Sequence, residues 1–196
     1  MADPVARTIP LHGILRLSAV LALLLIAAGP SRASQPAEPR TWWIELAGGV
    51  VQVQQSGPLV PDSPPITAND TGGFFKIGFG NMVNDQFALG LEVSASFLRS
   101  GGSREDAITL LGGFVTGRVY PVKSSPFHLR LAGGTIVRSD RYTDQTSQHV
   151  AWEAGVGYDL RLRGYNHLTP FVAYQSAGPG GVATHSVMAG AAYGRW

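Results

Sequence analysis

Apolar and polar residues alternate with a period of two along most of the chain beyond residue 40. The segment from Phe87 to Phe97 shows this most clearly, because every second residue is apolar and those between are small or polar. Such a period places the two sets on opposite faces of a β-strand, and no window shows the 3.6-residue period of a helix. The pattern predicts eight strands, at approximately residues 41–53, 73–80, 86–98, 107–120, 127–138, 150–161, 167–175 and 186–196.

The connections between these strands alternate in length. Longer ones cover residues 54–72, 99–106, 139–149 and 176–185, and shorter ones cover residues 81–85, 121–126 and 162–166. Alternating long and short connections, with a long one first, are typical of a membrane barrel whose two termini lie on the periplasmic side. The sequence therefore predicts an all-β fold, an eight-stranded antiparallel up-and-down transmembrane β-barrel over residues 41–196.

The first residues have the three zones of a secretory signal. Arg7 and Arg16 supply a basic start, residues 17–29 form a short apolar run, and Pro30 precedes the small residues that a signal peptidase reads. The apolar run is too short to cross about 30 Å of hydrocarbon at about 1.5 Å per residue. We expect a signal peptide over residues 1–33, cleaved after Ala33, and a polar periplasmic lead-in over residues 34–40.

Charge and cysteine content exclude several classes of protein. The chain has 15 basic and 13 acidic residues, and the predicted signal holds Arg7, Arg16, Arg32 and Asp3, so 12 of each remain. The basic isoelectric point of about 9.2 thus belongs largely to the signal and indicates no nucleic-acid binding. The absence of cysteine excludes disulfides and thiolate metal sites. Because no later apolar run approaches about 18 residues, a membrane-spanning form must be a closed barrel.

Aromatic residues concentrate near both ends of the predicted strands, as in the interfacial girdles of membrane barrels. One group lies near the short connections and the other near the long ones. The first comprises Trp42, Trp43, Phe79, Phe87, Tyr120, Phe127, Tyr165 and Trp196, and the second Phe74, Phe75, Phe97 and Trp152.

The direction of each face decides the class of barrel. A membrane barrel points apolar side chains at lipid and polar ones inward, whereas a soluble barrel does the reverse. The strand number, the loop alternation and a final strand that ends at the last residue favour the membrane form. Because eight strands enclose little space and unpaired buried charge is costly, we expect an internal ion-pair network that fills the lumen and blocks free diffusion. Its predicted members are Glu45, Lys76, Glu92, Arg118, Arg130 and Glu153, with Asp159 and Arg161 at the water-exposed rims.

Several segments resemble the small outer-membrane β-barrel proteins of Gram-negative bacteria, the family of OmpA-like transmembrane domains and OmpX-type barrels. The similarity covers residues 41–196 and is clearest at 87–97, 118–121, 151–160 and 193–196. Together with the alternation of the connections, it leads us to expect a monomer without a cofactor in the outer membrane, with both termini in the periplasm. It also implies contact with outer-membrane lipid and lipopolysaccharide, and with the barrel-assembly machinery during biogenesis.

The same resemblance assigns a role to the C-terminus. In the family a C-terminal aromatic residue belongs to the signal that the assembly machinery reads, and Trp196 corresponds to it. The second aromatic residue normally stands two places before the last, where this chain has Gly194. Tyr193, one place further away, is the nearest candidate.

A search for catalytic groups leads first to His185 and Ser186. Neighbouring side chains of a strand point to opposite faces, so these two cannot readily act as base and nucleophile. Lipid A deacylase barrels use a His-x-Ser-Asn arrangement that this segment lacks. No histidine or carboxylate cluster has metal-ligand spacing. We therefore expect a non-enzymatic barrel with a structural or surface-contact role. The alternatives are a lipid A-modifying deacylase or acyltransferase, and a secreted soluble β-barrel that binds a small apolar ligand.

Overall fold

A computed structural model describes residues 42–56, 70–99, 107–123, 125–140, 145–178 and 183–196. These ranges hold no helix that is long and apolar enough to cross a membrane. The predicted signal peptide and lead-in, residues 1–40, lie outside the described residues. The strands are β1 (Trp42–Ser56), β2 (Asp70–Asn84), β3 (Phe87–Arg99), β4 (Ala107–Val119), β5 (Phe127–Asp140), β6 (Gln145–Tyr158), β7 (Leu160–Arg161), β8 (Asn166–Ala177) and β9 (Ala183–Arg195).

The strands close into one antiparallel barrel. Consecutive strands pair from β1 to β6 and from β7 to β9, β1 also pairs with β9, and β6 pairs with β8. The two-residue β7 continues β6 beyond Asp159 and pairs with the same strand, β8, so that β6 and β7 together make one wall segment. The architecture is therefore the predicted eight-stranded up-and-down barrel.

The two ends of the barrel differ in their connections. The turn end carries the connections at residues 85–86, 120–126 and 162–165, and the loop end carries those that begin after Ser56, Arg99, Asp140 and Ala177. The strands extend further towards the loop end than predicted, because polar residues such as Gln54 and Gln148 continue the pairing there. Only four residues, 141–144, therefore separate β5 from β6, and five, 178–182, separate β8 from β9. Both connections are shorter than the turn-end connection at 120–126, so the predicted difference in connection length is wrong at these two points.

The outward face of the barrel wall is apolar over most of its height. In β3, Leu89, Leu91 and Val93 are about half exposed, whereas Glu92 and Ser94 are buried in the lumen. This confirms the predicted direction of the two faces. Other large apolar side chains exposed on the outside are Ile44, Leu46, Val50, Phe75, Ile77, Phe79, Leu111, Val115, Leu129, Leu131, Val150 and Trp152.

Glycines that face the lumen make room for large inward-pointing rings. A Cβ added to Gly78 would lie 2.8 Å from the Trp43 ring, and one added to Gly157 would lie 2.6 Å from His128. By contrast, a Cβ on the outward-facing Gly133 would meet nothing within 4 Å. The aromatic girdles were therefore predicted too broadly. Trp43, Phe74 and Tyr120 are buried inside the barrel, and the Trp196 ring also lies on the lumen side.

Candidate functional site

Six charged side chains from six consecutive strands meet inside the barrel and form what we call the ionic cluster. β1 to β6 each contribute one residue at an inward-facing position, and each residue is at most 4% exposed. The structure thus brings together all the residues that the sequence analysis placed in the lumen. They are Glu45, Lys76, Glu92, Arg118, Arg130 and Glu153.

Arg130 lies at the centre of the ionic cluster and contacts all three of its carboxylates. Its Nη1 lies 3.4 Å from Oε1 of Glu45 and its Nε lies 3.3 Å from Oε1 of Glu153. Its Nη2 forms an ion pair with Glu92. A single guanidinium therefore links strands β1, β3 and β6 to β5 across the lumen.

The other two cations complete the pairing. Nζ of Lys76 donates to Oε2 of Glu153 at 2.6 Å and lies 3.2 Å from Oε1 of Glu92. Arg118 pairs with Glu45, and its guanidinium lies 3.9 Å from the centre of the Trp43 ring, a cation–π contact. Three carboxylates thus face three cations, which is the arrangement that offsets the desolvation of buried charge.

A second polar group, the turn-end cluster, surrounds Asp159 at the turn end of the lumen. The Asp159 carboxylate accepts hydrogen bonds from Tyr120 Oη at 3.0 Å and Thr169 Oγ1 at 2.7 Å, and lies 3.5 Å from Nδ1 of His128. Asp159 was predicted at a water-exposed rim, but it is buried in the lumen. It keeps the inward direction of Glu153 and Gly157, because β6 and β7 pair with β8 in one continuous register. Arg161 is exposed, as expected.

The two aromatic residues of the predicted assembly signal lie on opposite faces. Tyr193 points outward and is 53% exposed. The Trp196 ring lies on the lumen side, 6.2 Å from Tyr120 and 5.0 Å from His167, and borders the turn-end cluster. The assembly role of both residues stays a prediction.

Little space remains between these two clusters. A cavity of about 10 Å³, room for about one water molecule, is lined by residues of both clusters, among them Glu45, Arg118 and His128. The Phe171 side chain also borders it. The described lumen is therefore packed at this level.

Towards the loop end most of the buried side chains are aliphatic, and we call these the aliphatic cluster. The polar residues Arg138, Thr184 and Ser186 are also buried at this end. Sequence analysis expected paired polar groups to fill most of the lumen, and this expectation is wrong for the part of the loop end that the aliphatic cluster occupies. The outward positions beside these side chains are polar, as Gln52 and Gln54 are on β1, so the two faces exchange character there. The cluster consists of Val51, Val53, Leu98, Ile108, Leu110, Ile136 and Met188.

The sequence offered no simple signal for the turn-end and aliphatic clusters. Tyr120 and Asp159 are 39 residues apart, and only closure of the barrel brings them together. The aliphatic cluster is marked in the sequence only by pairs of adjacent apolar residues. These pairs lie where the apolar face changes sides, at Val50–Val51, Phe97–Leu98 and Leu110–Leu111.

Catalytic geometry is incomplete among the described residues. Ser186 is buried in the lumen, whereas His185 is on the outer face and bonded to Tyr174. His149 Nε2 does lie 3.0 Å from Ser147 Oγ near the loop end, but no described carboxylate forms a hydrogen bond with either residue. In the described ranges, no group of three or more metal-ligating side chains is present.

No protein-family model matches the chain, and no curated protein sequence does. Solved structures are similar in fold. Neisserial surface protein A (NspA) shares 16% identity at a TM-score of 0.53, over 81% of this chain and 99% of that one. Ail, the attachment invasion locus protein of Yersinia pestis, solved with the heparin analogue sucrose octasulfate, shares 14% identity at a TM-score of 0.52, over 79% and 99%.

A further structure of Ail, described as an outer membrane protein in a phospholipid bilayer nanodisc, has 12% identity and a TM-score of 0.48, over 80% and 99% of the two chains. Besides this similarity in fold to NspA and Ail, the present chain has a closed barrel, an apolar outer face and a charged interior. This chain has the fold of the small eight-stranded outer-membrane β-barrels.

Proposed function

We propose that this chain is a non-enzymatic, monomeric outer-membrane barrel with a structural or surface-contact role and a lumen closed to solutes. The ionic cluster carries this proposal. Three anions and three cations are paired across the full width of the barrel, and the turn-end and aliphatic clusters close the lumen on either side. A pathway for solutes would have to break buried ion pairs, which is costly.

The height of the apolar outer face supports a position in a bilayer. On β1 it extends from Trp42 to Val50 and on β6 from Val150 to Tyr158, about nine residues each, which matches the length of a tilted membrane strand. The soluble-barrel alternative requires a polar outer face, which this belt lacks. We assign the residues beyond the belt at the loop end to the aqueous exterior.

The turn end, with Trp42 and Trp196, then faces the periplasm, and the loop end faces the cell surface. The partners in this proposal are outer-membrane lipid and lipopolysaccharide along the belt, and the barrel-assembly machinery during biogenesis, with Tyr193 and Trp196 in its signal. Nucleic acid is not among the partners, because the chain beyond residue 33 has no formal excess of positive charge.

Conductance in a planar lipid bilayer tests the closed lumen. We expect no steady conductance from the wild-type protein. Arg130→Ala should raise the frequency of conducting events, because it removes the cation shared by three carboxylates. The matched control is Leu131→Ala, which alters the neighbouring outward-facing side chain and should conduct as the wild type does.

A heat-modifiability gel of the same samples shows whether the barrel is folded, since intact membrane barrels resist SDS until boiled. A large, steady conductance from folded wild-type protein would contradict the closed lumen. Recovery of folded protein without detergent would contradict the membrane location. A change in lipid A acylation that depends on the gene and is lost in Ser147→Ala or His185→Ala would replace the proposal with an enzymatic function.

A further inference from the structure

Three aromatic rings form a continuous row on the outer face of the barrel near the loop end. Trp152 of β6 and Tyr174 of β8 have ring centroids 5.4 Å apart at 50°, and Tyr174 and His185 of β9 stack at 5.8 Å and 21°. Tyr174 Oη is hydrogen-bonded to Nδ1 of His185. We call Trp152, Tyr174 and His185 the outer aromatic row.

His185 is an unusual residue for this face. Among the outward positions of β1–β6, β8 and β9 whose side chains are described, the only basic residues are His185 and Arg195. Arg195 is the last residue of β9, at the opposite end of the barrel. A basic side chain on the outer wall at the border of the apolar belt calls for a polar partner.

The position of His185 along the barrel axis coincides with the edge of the apolar belt. Val187, the next outward residue towards the turn end, is apolar, and the partner of His185 on β1 is the polar Gln54. Tyrosine and tryptophan accumulate at this depth because their rings are apolar and their edges polar. The outer aromatic row therefore lies at the level of lipid headgroups.

The bond with Tyr174 determines which atom of His185 can bind a ligand. A histidine has two ring nitrogens, and Tyr174 occupies Nδ1. When Tyr174 Oη donates to Nδ1, the ring proton lies on Nε2, which can then donate to an acceptor outside the row. Carboxylate side chains are absent from the described outward strand positions, so the acceptor comes from the lipid or from water.

We infer that the outer aromatic row binds a phosphate group of lipid A in the outer leaflet. His185 Nε2 donates to a phosphate oxygen, Tyr174 holds the imidazole in position, and Trp152 and Tyr174 present their ring faces to the adjoining sugar. This inference rests on the proposed membrane position, with the loop end facing outward. The proposed lipid site lies on the outer face of β6, β8 and β9, near the loop end.

Native mass spectrometry of the detergent-solubilised full-length protein tests the site. The probes are bis-phosphorylated lipid A, the same lipid without its phosphates, and phosphatidylglycerol. We expect the bis-phosphorylated form to bind about fivefold more tightly than the dephosphorylated form, as one hydrogen bond would provide. The two forms should bind equally in His185→Ala, and Tyr174→Phe should lose part of the preference because the imidazole is no longer held.

Tyr193→Phe is the matched control, since Tyr193 is an outward-facing tyrosine at the other end of the barrel, and it should keep the full preference. The inference is overturned if His185→Ala retains the preference, if Tyr193→Phe loses it equally, or if phosphatidylglycerol binds as tightly as bis-phosphorylated lipid A. Each variant is first checked on a heat-modifiability gel. A wild-type protein that fails to insert into vesicles counts against the membrane barrel itself, whereas an inserted protein without phosphate preference counts against the lipid site alone.

Discussion

The two halves of the barrel place their apolar side chains on opposite faces of the wall. Around the ionic cluster, Ile44 and Leu46 point outward while Glu45 is buried, as in a membrane barrel. Around the aliphatic cluster, Val51 and Val53 are buried between outward-facing glutamines, as in a soluble barrel. In the proposed membrane position, the medium outside each section, lipid or water, accounts for which face is apolar, while the strand itself continues without interruption.

The halves also differ in how they should tolerate change. Paired charges in a dry interior depend on every partner, because removing one leaves the others desolvated and unpaired. Aliphatic side chains contribute to stability through their volume and shape. The loss of one leaves a cavity, and the free energy that it costs depends on how far the neighbouring side chains relax into it.

The largest effect should follow from removing the central cation. Arg130→Met leaves three buried carboxylates short of a partner, and we expect the free energy of unfolding to fall by about 3–5 kcal/mol. Urea unfolding of the protein folded in lipid vesicles measures it. Lys123→Ser is the control, because the Lys123–Asp85 pair is exposed and should contribute about 0–1 kcal/mol. Equal losses in the two variants would show that the ionic cluster is not desolvated.

A slightly smaller effect is expected in the other half. Leu98 is 1% exposed, and Leu98→Ala should lower the free energy of unfolding by about 2–4 kcal/mol through lost burial and a new cavity. Leu91→Ala alters an outward-facing leucine of the same strand, 48% exposed, and should cost less, since no enclosed cavity forms. If Leu91→Ala is the more costly change in the same urea experiment, the aliphatic cluster is not a packed core.

The smallest effect is expected from a substitution that fills the space beside the ionic cluster. Gly78→Ala places a methyl group 2.8 Å from the Trp43 ring, on which Arg118 rests, and overpacking of this kind costs about 1–3 kcal/mol. Gly133→Ala adds the same methyl group to open space on the outer face. The free energy of unfolding in urea should fall for the first variant and stay within about 0.5 kcal/mol of the wild-type value for the second. If both variants lose the same free energy of unfolding, glycine is required at these positions by the strand backbone and not by the space in the lumen.

Much of the ionic cluster was predictable because its members stand one position away from apolar residues in regular strands. Glu92 lies between Leu91 and Val93, and its inward direction follows from the period alone. The period also turns Asp159 inward, but its depth was misjudged. A residue at the end of a predicted strand can lie at the rim or inside the lumen, and only its contacts with Tyr120 and Thr169 place it inside. Trp43 was misplaced because an aromatic residue near a strand end suits either a girdle or a lumen, and only the facing glycines decide between them.

The amino-acid sequence by itself determined the strand number, the antiparallel order and which charged residues face inward, since these follow from local alternation and chain connectivity. Only the tertiary structure decided which charges meet, where the apolar face changes sides, and that Tyr174 and His185 form a pair on the outer wall. Those features depend on the register between strands that are remote in the chain. Register is set by the simultaneous packing of the whole closed barrel, which no single segment encodes.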